Sequence, residues 1–155
     1  SSSSAPPHSL TLPRFAAKRL HSTGQYVARR LRAMHHEDPA SLHALRIAIK
    51  RLRYALEFFS SVTELKTGSK KQPPILRQLT LLQNILGQLN DLSQAGNWLI
   101  AHAGQDASLR AVVTLIGHWH GARYSQLLAD LALASRRLEK QLEKLATQLA
   151  TVTLH

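Results

Sequence analysis

The sequence contains no cysteine, which excludes disulfide bonds and thiol catalysis and suits a reducing compartment. Phe, Trp and Tyr make up only 5% of the residues, and few stretches alternate polar and apolar side chains, so helices are favoured over strands. No apolar run approaches the ~18 residues of a membrane span, and no signal peptide is evident. We therefore expect an intracellular, cytoplasmic protein that does not enter a membrane.

Acidic residues are also scarce. The chain has 9 Asp and Glu against 20 Lys and Arg, which gives a formal charge of +11. Such an excess indicates an acidic partner, and the candidates are a nucleic acid, an anionic lipid and an inorganic polyanion. The apolar share of 44% is ordinary for a globular protein, so we expect the charge to lie on a folded surface.

Apolar residues at helical spacing predict four helices in this chain of 155 residues, which is the size of one domain. A mobile leader rich in Ser and Pro is expected at 1–12, and the domain itself at 13–150. The second helix is predicted to begin at Pro39 with Asp38 as its N-cap. These features favour an all-α fold, a four-helix bundle of long antiparallel helices.

The connections and the second half of the chain are less regular. Ser, Thr, Lys, Gly and two prolines predict a loop from 60 to 74. The third helix is expected to follow and to end near Gly104, with Asp106 capping a fourth helix of about 40 residues. Trp98 and Trp119 stand among leucines at helical spacing, so we expect both in the core.

Basic residues form one row on each of the first two helices. At 100° per residue, the row on the second helix falls within an arc of about 100°, opposite an apolar row that begins at Leu45. The first helix repeats the design at steps of three or four residues. The two rows, which we expect to face one cleft, are His43, Arg46, Lys50, Arg53 and Tyr54 on the second helix and Arg14, Lys18, His21, Arg29 and Arg32 on the first.

These rows carry most of the charge of the chain. Residues 14–56 include ten Lys or Arg and two acids, a local charge of +8. A solvated helix face usually interleaves acids with bases, and like charges three or four residues apart repel by a few tenths of a kcal/mol each. The imbalance therefore indicates a bound anion. Arg and Lys bind phosphate oxygens, and His43 and His21 add a charge that grows as the pH falls.

Two stretches resemble the signature helices of CHAD (conserved histidine α-helical) domains. They are LHALRIAIKRLRYALEFF at 42–59 and LTLLQNILGQLND at 79–91. The resemblance implies a helical domain that binds inorganic polyphosphate in a basic groove, has no established catalytic activity and associates with polyphosphate granules. The residues that match the basic signature by position are His43, Arg46, Lys50 and Arg53. The basic row of the first helix is assigned to the groove by the helical wheel and only loosely by the family pattern.

CHAD domains usually contain two four-helix repeats, and this sequence resembles the second. Either the chain is a fragment of a longer protein, or two copies pair about a two-fold axis and rebuild the groove as a homodimer.

Nucleic acid is the alternative partner. Single-strand binding uses aromatic side chains between basic ones, and the basic rows supply only Tyr26 and Tyr54, with no helix-turn-helix or other reading motif. An enzyme such as a phosphatase would need a carboxylate cluster, a P-loop or a nucleophile–base pair, and none is evident. His43 also suits a phosphoryl acceptor of the histidine-phosphotransfer kind. No metal or cofactor is expected, because the nine histidines lack the spacing of metal ligands.

Overall fold

Four α-helices account for almost all of the described chain, and they pack in chain order around a common axis. The computed structural model describes residues 8–67, 73–103, 108 and 110–153. The helices are α1 (His8–Arg32), α2 (Pro39–Thr67), α3 (Pro74–Ala103) and α4 (Arg110–Thr153). α1 packs on α2, α2 on α3, α3 on α4, and α4 returns to α1. The predicted all-α four-helix bundle is confirmed.

The apolar row of each helix points to the bundle axis. Each Leu, Ile or Val that leaves water here contributes about 1.5–3 kcal/mol to folding. The most completely buried side chains are Leu20, Val27, Leu45, Ile49, Leu52, Leu79, Leu82, Leu89, Leu127, Leu131 and Leu138. Because this core fixes how each helix is rotated about its own axis, it also decides which polar residues point outward.

The turn between α1 and α2 has the predicted cap. The side-chain Oδ1 of Asp38 accepts a hydrogen bond from the backbone N–H of Ala40 at 3.0 Å, and Pro39 is the first residue of α2. The Ser41 hydroxyl accepts a second bond from the N–H of His35 at 3.0 Å. The first bond satisfies a backbone donor that a helix start leaves without a partner, and the second ties the turn to the first turn of α2, so α2 begins at a fixed place.

Two predicted boundaries are wrong. α1 begins at His8, so residues 8–12 belong to the helix and not to a leader, while residues 1–7 lie outside the described part. α2 continues to Thr67, beyond the predicted loop start at Ser60. Val62, three residues after Phe59, is half-buried, so the apolar row of α2 extends at least to this residue, past the Ser pair that predicts a loop. Asp106, the predicted cap of α4, is also outside the described residues.

The end of the α3–α4 hairpin differs most from the prediction. Trp98 and Trp119 were expected in the core, but they are 60% and 64% exposed. Ser93 of α3 and Tyr124 of α4 lie beside the α1–α2 turn, around a small cavity that His36 also lines. Beyond these two residues α3 continues to Ala103, and α4 begins at Arg110. The hairpin therefore extends about 15 Å past the turn, where α1 and α2 offer nothing to cover it.

Candidate functional site

The outward side of α2 is lined with cations. His43, Arg46, Lys50 and Arg51 are exposed and Arg53 is partly exposed, whereas Leu45, Ile49 and Leu52 on the inward side are fully buried. We call this surface the α2 cationic face; its residues are His43, Arg46, Lys50, Arg51, Arg53 and Tyr54. The row predicted for the second helix is thus brought together as expected, and Arg51 is added to it.

Arg53 is the one cation of this face that the bundle holds in place. Its Nη1 donates to Gln83 Oε1 on α3 at 2.8 Å, and its Nε lies 3.6 Å from Glu57 Oε1. An ion pair of this kind on a helix surface contributes about 0.3–0.5 kcal/mol. The guanidinium therefore spans the α2–α3 junction with a preset orientation.

Tyr54 organises the middle of the face. Lys50 Nζ and Arg53 Cζ lie 5.9 and 5.4 Å from the centre of its ring, which is the range of cation–π attraction. Such contacts contribute about 0.5–1 kcal/mol at exposed sites, and they hold two cations beside each other despite their like charge.

The remaining cations have no acidic partner among the described residues. Ion pairs in that part of the chain join Arg53 to Glu57 and His36 to Glu37, and none involves Arg46, Lys50 or Arg51. Arg46 and Lys50 are four residues apart, a spacing at which like charges repel. The repulsion is relieved when an anion lies across the row, so the face is suited to a multivalent anion.

His43 and Arg46 sit where α2 meets α3. Both line a cavity of about 90 Å³ that Asn90 and Ser93 of α3 also line. The amide and the hydroxyl can donate hydrogen bonds to an anion that the two basic side chains attract. The amino-terminal end of the α2 cationic face therefore has polar neighbours on a second helix.

The basic row of α1 does not share this surface. His21 and Arg32 line a groove of about 360 Å³ between α1 and α4, together with Glu139 and Glu143. The prediction that the two rows face one cleft is therefore wrong for them. The burial of Leu20 and Val27 sets the rotation of α1 and turns this row toward α4, where acids partly balance it.

Arg14 and Lys18 are exposed, and the helical repeat places them in line with His21 on the same side of α1. Arg29 differs, because it lines the groove between α1 and α2. Of the predicted α1 residues, Arg29 is thus the one that lies beside the α2 cationic face.

The groove between α1 and α2 also contains residues that the sequence did not single out. It has a volume of about 630 Å³. We call it the α1–α2 groove. The aromatic and basic side chains that line it are Phe15, Arg19, Tyr26, Arg29, Arg51, Tyr54 and Phe58. Arg19 and Arg51 follow Lys18 and Lys50 directly in the sequence. An arc wider than the roughly 100° used for the two basic rows would include them.

Two structural findings bear on the other classes of function. Within residues 8–67, 73–103, 108 and 110–153, no three His, Asp or Glu side chains are grouped closely enough to hold a metal ion. No helix in the described part of the chain is both long and apolar enough to cross a bilayer.

A comparison with known families supports the resemblance found in the sequence. The CHAD domain matches residues 1–100, which include the α2 cationic face and both sides of the α1–α2 groove. No curated protein and no solved structure matches the chain. The family match covers well over half of the sequence. The chain therefore belongs to the family of CHAD domains, which is associated with polyphosphate binding.

Proposed function

We propose that the α2 cationic face binds inorganic polyphosphate and catalyses no reaction on it. The observation that carries this proposal is the row formed by Arg46, Lys50 and Arg51, exposed and without acidic partners among the described residues, within the region that matches the CHAD family. A helix presents these cations at fixed intervals over about 15 Å from His43 to Arg53. A linear polyanion with a charge on every unit can contact several of them at once.

Binding of this kind is multivalent. Each Lys or Arg that neutralises a phosphate releases a counterion, so several weak contacts add up to a strong one that depends on salt. Arg53, held by Gln83, and Arg29, at the edge of the α1–α2 groove, extend the row at its carboxyl end and toward α1. We expect Arg14, Lys18, His21 and Arg32 to contribute only through the general field, because they lie on the α4 side of α1.

The surroundings of the face suit binding better than catalysis. Among the described residues, Glu57 is one of two carboxylates near the face, the other being Glu37 beside the small cavity. Arg53 holds Glu57, so that group is poorly placed to act as a general base. His43 is exposed, and Glu37, the acid that lines the cavity beside it, pairs with His36 at 3.9 Å and is not held in position to orient the His43 ring. We therefore expect no phosphatase or phosphotransferase activity. Binding of polyphosphate would also place the protein in the cytoplasm with polyphosphate granules.

Reversing two charges on the face tests the proposal. In the variant Arg46→Glu/Lys50→Glu we expect the affinity for long-chain polyphosphate to fall at least tenfold at about 150 mM salt, because two contacts become repulsive. Titration calorimetry measures the affinity. Both side chains are exposed, so the far-ultraviolet circular dichroism should be unchanged.

The matched control is Arg136→Glu/Arg137→Glu on the exposed side of α4, which changes the net charge by the same amount. We expect a loss of less than about threefold for it, since the general field contributes little at this ionic strength. Equal losses in the two variants would contradict the proposal, because they would show that net charge and not the α2 cationic face determines binding.

A further inference from the structure

Aromatic side chains are concentrated in the α1–α2 groove. Of the six Phe and Tyr residues in the chain, four line this one surface. Phe15 is 60% exposed and Phe58 is 48% exposed, although both are large apolar side chains. Inorganic polyphosphate has no apolar or aromatic part, so binding of that polymer leaves the rings of Phe15 and Phe58 without a role.

Rings alternate with arginines along α1, and on α2 an arginine is followed by two rings. On α1 the order is Phe15, Arg19, Tyr26 and Arg29, over about 21 Å of helix. On α2 the order is Arg51, Tyr54 and Phe58.

Tyr26 is held rigidly within this series. Arg30 Nε donates to its hydroxyl at 3.0 Å, and the guanidinium carbons of Arg29 and Arg30 lie 5.7 and 5.2 Å from the centre of its ring. The groove is therefore an ordered surface on which cations and aromatic faces follow each other.

We propose that the α1–α2 groove binds single-stranded nucleic acid. A positively charged groove that follows the backbone, with aromatic rings on which successive bases stack, is the arrangement that sequence-tolerant single-strand binding requires. Arg19, Arg29 and Arg51 are placed to contact phosphates, and the exposed rings of Phe15 and Phe58 to receive bases. A duplex fits poorly, because its bases are already stacked on each other. The basic rows defined from the sequence contain only Tyr26 and Tyr54 as aromatic residues, which is too few for base stacking. In the structure, Phe15 and Phe58 line the same groove and add two more rings.

The test compares affinities for a fluorescent oligothymidylate by anisotropy in the variants Phe15→Ala/Phe58→Ala and Phe15→Leu/Phe58→Leu. We expect both to lower single-strand affinity at least tenfold, because leucine keeps the apolar bulk but offers no face for stacking. Affinity for polyphosphate should stay within about twofold of the wild type in both, since neither change removes a charge.

Single-strand affinity that is unchanged in the leucine variant, or a duplex that binds as tightly as the single strand, would overturn this inference. The proposed polyphosphate site is judged separately by Arg46→Glu/Lys50→Glu, so one proposal can fail while the other holds.

The apolar end of the α3–α4 hairpin is an independent interaction surface. We call it the apolar tip; its exposed residues are Trp98, Ile100, Val112, Leu115, Ile116 and Trp119. Ile100 is 80% exposed. Val112, Leu115, Ile116 and Trp119 recur at steps of three or four residues on one side of α4, and an exposed apolar row of this kind marks a site of association. Next to the tip, α3 and α4 are in close contact. His120 Nε2 on α4 lies 2.6 Å from the carbonyl oxygen of Leu92 on α3, and the His120 ring occupies the space beside Gly96 that a side chain would fill.

We infer that the apolar tip binds a second copy of this chain. Two copies with a charge of +11 repel each other, and the repulsion is smallest where uncharged surfaces meet. From 93 to 103 and from 110 to 120 the sequence has one charged residue, Arg110. Two tryptophans of about 150–250 Å² each, with the three aliphatic side chains of α4, approach the roughly 800 Å² that each partner buries in a stable interface. Two hairpins packed tip to tip about a two-fold axis would bury both sets.

Sedimentation of the full chain tests this second inference. We expect the wild type to form a dimer at micromolar concentrations and to remain one at high salt, because the contact is apolar. Trp98→Gln/Trp119→Gln should sediment as a monomer with unchanged helicity, whereas Phe15→Leu/Phe58→Leu, which alters exposed rings elsewhere, should stay dimeric. A wild type that is monomeric throughout, or a tryptophan variant that still dimerises, would rule out the apolar tip as the interface.

Discussion

Raising the salt concentration from about 50 to 200 mM is expected to weaken polyphosphate binding about a hundredfold. Five cations, Arg29, Arg46, Lys50, Arg51 and Arg53, lie on or beside the α2 cationic face. For a single-stranded polyanion, the logarithm of the affinity falls with the logarithm of salt at about 0.7 per neutralised charge, which gives a slope of about −3.5 for five contacts. Titration at four or more salt concentrations measures this slope directly.

The variants make the slope informative. Arg46→Glu/Lys50→Glu leaves three contacts, so its slope should fall to about −2, whereas Arg136→Glu/Arg137→Glu should keep the wild-type slope. A wild-type slope that is shallower than this, between 0 and about −1, would contradict multivalent binding. Salt does not distinguish polyphosphate from a single-stranded nucleic acid, because both release counterions; the Phe15 and Phe58 variants make that distinction.

The parts of the fold that the sequence predicts correctly are those that local physics decides. Asp38 and Pro39 predict the start of α2 because an N-cap and a first-turn proline act within a few residues. The spacing of Leu45, Ile49 and Leu52 predicts the buried side of α2 for the same reason. Trp98 and Trp119 follow an equally good helical spacing and are nevertheless exposed. Their burial would need another helix beside them, and periodicity along one helix carries no information about how far its neighbours extend.

The difference between local signals and the packing of neighbouring helices also explains which parts of the candidate site could be predicted. The α2 cationic face could be predicted because it lies opposite a long apolar row, and any neighbour that covers the row leaves the cations outside. On α1 the buried row is flanked by two grooves, one toward α2 and one toward α4. A helical wheel gives the angle between Arg29 and His21 but not which groove each of them enters. That choice depends on how α1 is packed between its two neighbours, which is tertiary information.

Removal of one core side chain beneath the cations should affect stability more than any change on the surface. For Leu52→Ala we expect the free energy of unfolding to fall by about 2–5 kcal/mol, because Leu52 is fully buried and leaves a cavity that the packed helices fill only in part. For a protein of 155 residues, each kcal/mol corresponds to roughly 2–4 °C in Tm. Urea denaturation followed by circular dichroism measures the change.

The consequence for function follows from the position of Leu52 between Arg51 and Arg53. The cations on the outer side of α2 bind together only while the helix keeps them in one row, so the variant should lose polyphosphate binding as it unfolds, at a lower temperature than the wild type. Leu133→Ala is the control, since Leu133 is exposed on α4 and its loss should change stability by no more than about 0.5 kcal/mol. A Leu52→Ala variant as stable as Leu133→Ala would mean that the α2 cationic face does not depend on the packing beneath it.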